Sequence, residues 1–113
     1  MNTKEYGQTL EYYIAQKLID LGLDEFARPS KNSGGSTELG DVLNSQIHVE
    51  AKKRNTKSIT IHEAVWDKMI LQLPIDSKKI PCYALENNNN RRWMLLDLDM
   101  FFDLLKKAQE NEN

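Results

Sequence analysis

The chain has 113 residues, 40% of them hydrophobic and 28% charged, with a formal net charge of −2. This size fits one domain with a single modest core, which we take as residues 1–113. No apolar run approaches the roughly 18 residues of a membrane span, so we expect no membrane partner, and the lone Cys82 excludes an internal disulfide and argues against zinc.

The first predicted element is a helix over residues 3–21, with Asn2 or Thr3 as its N-cap and Gly22 as its stop. The prediction rests on apolar residues at helical spacing, namely Tyr6, Leu10, Ile14, Leu18 and Leu21. Glu11 lies one position off this apolar stripe. Its carboxylate is therefore either a solvated group on the flank or a ligand that faces inward.

A short strand over residues 26–28, ended by Pro29, leads into a loop over residues 30–38 that is rich in Ser and Gly. One interpretation is a plain connector. The other is a loop that binds phosphate, because small residues let backbone N–H groups and hydroxyls approach an anion closely. It is no Walker loop, since the Gly-Lys-Ser/Thr ending is absent.

Residues 40–54 are predicted to form a β-hairpin whose second strand alternates apolar with polar residues. With Ser45 and Gln46 at the tip, Asp41 faces Glu50, and their Cβ atoms lie roughly 4.5 to 5.5 Å apart. Two like charges so placed destabilise a bare hairpin. A divalent cation would remove the repulsion, because hard cations bind carboxylate oxygens. Lys52 shares the face of Glu50, since alternate strand residues do so.

A second helix is predicted from Ser58 or Thr60 to Leu73, because apolar residues again recur at helical spacing and Pro74 follows. Trp66 lies beside that apolar stripe. We expect its side chain in the core or at a subunit interface.

The last part of the chain predicts two strands and a third helix. The strands cover residues 80–85 and 92–96, and residues 87–90 form a tolerant surface turn between them. Asp97 or Asp99 caps the final helix. The resulting order αβββαββα predicts an α/β (α+β) fold in which helices flank a mixed sheet.

The two histidines belong to no metal motif. Neither a His-x-x-x-His nor a His-Asn-His pattern is present, which argues against zinc hydrolases and ββα-metal nucleases. His48 and His62 are therefore expected to be ordinary, partly exposed side chains.

Basic residues concentrate in the middle of the chain despite its negative net charge. From Arg28 to Lys57, six basic residues stand against three acidic ones, and two of these acids are Asp41 and Glu50. The basic residues are Arg28, Lys31, Lys52, Lys53, Arg54 and Lys57. Such a region can bind phosphate groups, and the alternative is a solvated basic surface.

The pattern Gly40-Asp41-Val42 followed by Glu50-Ala51-Lys52 resembles the PD-(D/E)xK nuclease superfamily. With Arg28 and the Ser33-Gly34 pair included, it resembles the phage-type and archaeal-type Holliday junction resolvases. Gly40 stands where a literal motif has proline. The resemblance implies a restriction-endonuclease-like fold and adds Glu11, on the first helix, to the site.

The resemblance also implies roles for individual residues. Asp41, Glu50 and the Ala51 carbonyl would hold Mg²⁺, or Mn²⁺ in its place, and Glu11 would bind a second metal or reach the first through water. Lys52 would orient or help to deprotonate the attacking water. The implied DNA contacts are Arg28, Ser33, Gly34, Lys53, Arg54 and Lys57.

Three functions remain open at this point. The first is a structure-selective DNA endonuclease that resolves four-way junctions as a homodimer in recombination and repair, since two matched cuts call for two sites. The second is a nuclease of the same fold that cuts flaps, nicks or a restriction-like site. The third is a DNA-binding module without activity. We expect an intracellular, cytoplasmic location, and a phage or prophage origin fits the resemblance.

Overall fold

The computed structural model describes residues 9–31 and 40–111. Within these residues the predicted order αβββαββα is confirmed. The elements are α1 (Leu10–Asp20), β1 (Arg28–Pro29), β2 (Val42–Leu43), β3 (Ile47–Lys53), α2 (Glu63–Leu71), β4 (Ile80–Glu86), β5 (Arg92–Leu95) and α3 (Leu98–Asn111). None of the helices in this part of the chain is long and apolar enough to cross a bilayer.

The strands form two sheets. In the smaller one, β1 and β2 run antiparallel, with Arg28 opposite Leu43. In the larger one the order is β3-β4-β5. β3 and β4 are parallel from Ile47 opposite Ile80 to Lys53 opposite Glu86, and β5 is antiparallel to β4. Parallel neighbours need a crossover connection, and α2 supplies it between β3 and β4.

The main core lies between α1 and one face of β3 and β4. Its buried residues are Leu10, Ile14, Ala15, Leu18, Ala27, Val42, Val49, Cys82 and Ala84. Alternate strand residues point to opposite faces, so Val49, Cys82 and Ala84 point towards α1. His48, Glu50 and Lys52 therefore point towards the other face, over which α2 crosses.

Helix α1 begins later than the sequence predicts. Thr9 has an extended backbone (ψ 158°), and its hydroxyl accepts a hydrogen bond from Tyr12 N–H at 3.4 Å. Thr9 is thus the N-cap of α1, and the predicted caps Asn2 and Thr3 lie outside the described residues. The predicted stop is confirmed, because Gly22 adopts a positive φ of 72° just after the helix.

The predicted two-stranded hairpin is wrong, because β2 pairs with β1 and β3 pairs with β4. The side chain of Asn44 builds the turn instead. Its carbonyl oxygen accepts from the N–H groups of Gln46 and Ile47, both at 2.7 Å, and its amide donates to Val42 O at 2.9 Å. The turn is therefore closed by a side chain, and β2 is free to diverge from β3.

Other element boundaries shift by a few residues. The strand predicted over residues 26–28 is Arg28–Pro29 in the structure. Helix α2 starts only at Glu63, because the backbone of His62 is extended. The two later strands, by contrast, end within one residue of their predicted limits. The Asp97 cap of α3 is confirmed, since its carboxylate accepts from Asp99 N–H at 3.0 Å.

The turn between β4 and β5 is more than a tolerant surface turn. Asn87 is buried, with 4% of its surface exposed. Its side-chain oxygen accepts from the N–H groups of Asn89 and Arg91, and its amide donates to Lys57 O at 3.0 Å. Asn87 therefore ties this turn to the segment that follows β3.

Candidate functional site

Asp41 and Glu50 lie side by side where the chain enters β2. The N–H of Asp41 donates to Val49 O at 2.8 Å, and the N–H of Ala51 donates to Asp41 Oδ2 at 2.7 Å. These two bonds hold Asp41 against β3 on either side of Glu50. The two acids are therefore close together, as predicted. Individual hydrogen bonds bring them together, because β2 and β3 are not paired as neighbouring strands of one sheet.

The two carboxyl groups interact directly. The pKa of Glu50 rises from its usual value of 4.5 to about 7, mainly because the side chain is partly buried, and then because of the charge of Asp41 and a hydrogen bond with it. The positive charges of Lys52 and Lys68 act in the opposite direction on the Glu50 pKa. Close to neutral pH, the pair therefore holds a proton that a metal ion would displace.

The Ala51 carbonyl lies on the same side of β3 as Asp41. In a strand, the N–H and C=O groups of one residue point in the same direction, and the Ala51 N–H points at Asp41. Two carboxylates and one carbonyl oxygen thus converge on one edge of β3. Hard oxygen donors of this kind suit Mg²⁺ and Mn²⁺.

Gly40 makes this approach possible. Its φ is +79°, a conformation that favours glycine. A Cβ at this position would also lie 3.3 Å from Val49 O and 3.4 Å from His48 Nδ1. The glycine before Asp41 therefore serves both the backbone turn and the close packing against β3.

A cavity of about 460 Å³ lies between β3 and α2. It is lined by Glu50, Lys52, Arg54, Ala64, Val65, Lys68, Met69, Gln72 and Tyr83. Glu50, Lys52 and Arg54 alternate along the chain at the end of β3 and share its face. The cavity thus has one acid, Glu50, and three basic side chains around it, a composition that suits a phosphate group.

Three of these residues were missed by sequence reasoning. Lys68 and Gln72 are one turn apart on α2, and together with Ala64 they follow the edge of its apolar stripe at i, i+4 spacing. That spacing was a usable signal. Tyr83 lies opposite Glu50 in the β3–β4 register, and burial together with the nearby Glu50 charge raises the pKa of its hydroxyl.

His48 is buried, with 3% of its surface exposed, so the prediction of a partly exposed histidine is wrong. Burial lowers the pKa of His48, and Lys79 adds to this, whereas Gln72 and Asp41 oppose it. Among the residues that the structure describes, neither its Nε2 atom nor Gln72 Oε1 has a hydrogen-bond partner. A neutral imidazole therefore packs beneath Gly40 next to the acid pair. His62 is exposed, as expected.

Glu11 does not join the acids. It lies in the first turn of α1 and is partly exposed. Within residues 9–31 and 40–111, no three side chains of His, Cys, Asp or Glu are placed to hold a metal together. Glu11 is therefore not placed with Asp41 and Glu50 as a third metal ligand in this structure, and its role in the site stays a prediction.

Lys53, a predicted DNA contact, forms an ion pair with a buried acid. Its ammonium lies 3.3 Å from Glu86 Oε1, and Arg92 Nε lies 2.7 Å from Glu86 Oε2. The Glu86 side chain is only 1% exposed. Lys53, Glu86 and Arg92 form one row across β3, β4 and β5, on the face that carries α1, where Arg92 also stacks on the Tyr13 ring. Lys53 thus neutralises a buried acid on the side away from the cavity.

The other predicted DNA contacts lie in different parts of the structure. Arg54 is exposed and lines the cavity. Lys57 is exposed in the segment after β3, and Arg28 donates to Pro29 O at 3.2 Å in the smaller sheet. Ser33 and Gly34 lie outside the described residues.

We compared the chain with protein-family models, curated proteins and solved structures, and none of the three comparisons gives a match.

Proposed function

We propose that the chain is a metal-dependent DNA endonuclease of the PD-(D/E)xK type, with a restriction-endonuclease-like fold, that cuts four-way junctions. The observation that carries the proposal is the Asp41 carboxylate held beside Glu50 by the backbone N–H of Ala51, with Lys52 on the same face of β3 as Glu50. An acid pair at this spacing is electrostatically unfavourable when both groups are charged. A bound cation removes that cost and leaves a reactive centre at the edge of a basic cavity.

The donor set fits magnesium. Mg²⁺ is usually bound by one or two carboxylates, with waters and substrate phosphates as its other ligands. Asp41, Glu50 and the Ala51 carbonyl would hold it, and a third acid such as Glu11 is not needed. When bound, the ion supplies Lewis-acid polarisation of the phosphate and a more acidic water.

The side chains around the acid pair have separable tasks. Lys52 and Glu50 share one face of β3, so the Lys52 ammonium can orient a water at the acid pair and stabilise charge on the phosphate. Arg54 and Lys68 line the same cavity from β3 and α2, and they bind the flanking phosphates. Tyr83, buried at the base, fixes the shape of the cavity.

Branched DNA and a dimer are part of the proposal. Cutting a four-way junction at two matched points requires two copies of the site related by a two-fold axis. We therefore propose a homodimer with one acid pair per chain.

The test is a cleavage assay on a panel of substrates. A mobile four-way junction is incubated beside linear, nicked and flap DNA of matched sequence, with Mg²⁺, Mn²⁺ or EDTA. Preferential cutting of the junction with metal, and none in EDTA, is the expected result. Preferential cutting of flaps or nicks would support a nuclease but would mean that its substrate is not the four-way junction. Binding without cutting under every metal condition would refute the enzyme and leave a DNA-binding module.

A further inference from the structure

Helix α3 carries an exposed apolar stripe. No residue of this helix is buried. Leu98, Phe101, Phe102 and Leu105 follow i, i+3, i+4, i+7 spacing and therefore share one face, and between 45% and 69% of each is exposed. A surface helix normally turns such a face towards the core. Here the face is turned outwards.

The attachment of α3 to the domain uses its other side. Asp97 caps the helix, and Leu96, just before it, packs against the main core. Met100 and Leu104, one turn apart, are partly buried. These two residues define the side of α3 that faces its own domain, and none of the residues 9–31 and 40–111 covers the exposed stripe.

The charges beside the stripe indicate which molecule fits. Asp99 and Lys106 are seven residues apart, which is two helical turns, so both lie on the same flank of the stripe. When two identical helices pack antiparallel about a two-fold axis, equal flanks face each other. Asp99 then meets Lys106 of a second copy, and the contact occurs twice. In a parallel pair, each flank of one helix faces the opposite flank of the other helix, so Asp99 and Lys106 do not meet.

We propose that a second copy of this chain docks on α3, with the two helices antiparallel and the stripes in contact. This proposal names the surface by which the homodimer of the proposed function forms, but it does not rest on the cleavage activity, because no residue of the acid pair or cavity takes part. The helix is about 21 Å long, so a contact along one of its faces is smaller than the standard interface of about 800 Å² per partner. We therefore expect a weak, reversible dimer.

Sedimentation velocity on the full chain, from roughly 1 to 200 µM, tests the interface. The wild type is expected to shift from monomer to dimer across this range. The double variant Phe101→Glu/Leu105→Glu should dimerise at least about tenfold more weakly. It should still fold, since neither side chain is buried, and circular dichroism checks this. Phe26→Glu, at an 81% exposed residue elsewhere, is the matched control and should dimerise normally.

A charge exchange tests the orientation. Asp99→Lys alone and Lys106→Asp alone should each weaken the dimer, because each places like charges together twice. The combined variant should restore dimerisation. A wild type that stays monomeric throughout, a dimer unaffected by the two Glu substitutions, or a combined variant without recovery would each overturn the proposal. Dimerisation without DNA cleavage would refute only the nuclease.

Discussion

Asp41 Oδ2 accepts a hydrogen bond from Ala51 N–H at 2.7 Å, and this bond places the Asp41 carboxylate beside Glu50, which is the main reason to regard the edge of β3 as a site. Two acids in contact are stable only with a proton or a cation between them. In the metal-free protein a proton relieves the repulsion between the two carboxylates, and in the proposed enzyme a bound cation does so. The first two predictions distinguish these states.

The Glu50 contribution to the stability of the metal-free protein should fall as pH rises from about 4.5 to 7, whereas the lowered pKa of buried His48 acts in the opposite direction. The Glu50 pKa is raised to about 7 in the folded protein from 4.5, so between these values the folded state binds more protons than the unfolded state. The Glu50 part of the free energy of unfolding therefore decreases with rising pH across that window. Melting temperatures in EDTA measure the effect as a difference between wild type and Glu50→Gln. With rising pH the variant should gain stability relative to wild type, and parallel profiles of the two proteins would assign the effect to another group.

Two substitutions at Asp41 should have opposite effects on stability. Asn keeps an oxygen to accept from Ala51 N–H and can donate to Glu50, so Asp41→Asn in EDTA at pH 8 should match or exceed wild type by up to about 1 kcal/mol. Asp41→Ala leaves the Ala51 N–H without this acceptor and should lose about 1 kcal/mol. Added Mg²⁺ should raise the melting temperature of wild type more than that of either variant. An equal response in all three would remove Asp41 from the metal ligands.

The salt dependence of DNA binding should separate the cavity lysine from the paired one. Lys68 lines the cavity, so Lys68→Ala should reduce the slope of log affinity against log salt by roughly one unit. Lys53 is paired with Glu86 on the other face, so Lys53→Ala should leave the slope unchanged. The measurement is fluorescence anisotropy with labelled junction DNA. The reverse pattern would place the DNA on the α1 face.

The buried Glu86 should make Arg92 important for stability. Arg92→Ala removes the closer partner, at 2.7 Å, of an acid that is 1% exposed, and should cost roughly 3 kcal/mol. Lys53→Ala removes a half-exposed partner at 3.3 Å and should cost less than about 1 kcal/mol. Urea denaturation measures both. Equal small losses would mean that water satisfies Glu86.

Sequence reasoning was most accurate where the signal is local. The alternation of residues 47–52 placed Glu50 and Lys52 on one face, and nine residues of separation with a polar turn brought Asp41 beside Glu50. Gly22 and Asp97 were identified as helix boundaries because capping depends on the residue itself and on backbone groups within one helical turn of it.

Sequence reasoning failed where strand pairing or a side-chain contact depends on residues that are far apart along the chain. The parallel pairing of β3 with β4 depends on a crossover through α2, which a local pattern does not reveal. The pairing of Lys53 with Glu86 was not predicted, because Glu86 is far along the chain. Lys68 was overlooked although its spacing to Ala64 was visible, since only the packing of α2 on the sheet shows that this edge of the helix faces the cavity. Glu11 was carried over from the resemblance alone, and its role stays a prediction.

Single-turnover cleavage of a four-way junction by Lys52→Ala tests the central claim most directly. Lys78→Ala, an exposed lysine that does not line the cavity, is the matched control. With Mg²⁺, wild type and Lys78→Ala should cut at similar rates. Lys52→Ala should not cut, yet should bind the junction within a few fold of wild type. Equal cleavage rates for Lys52→Ala and wild type would contradict the proposed mechanism at this site.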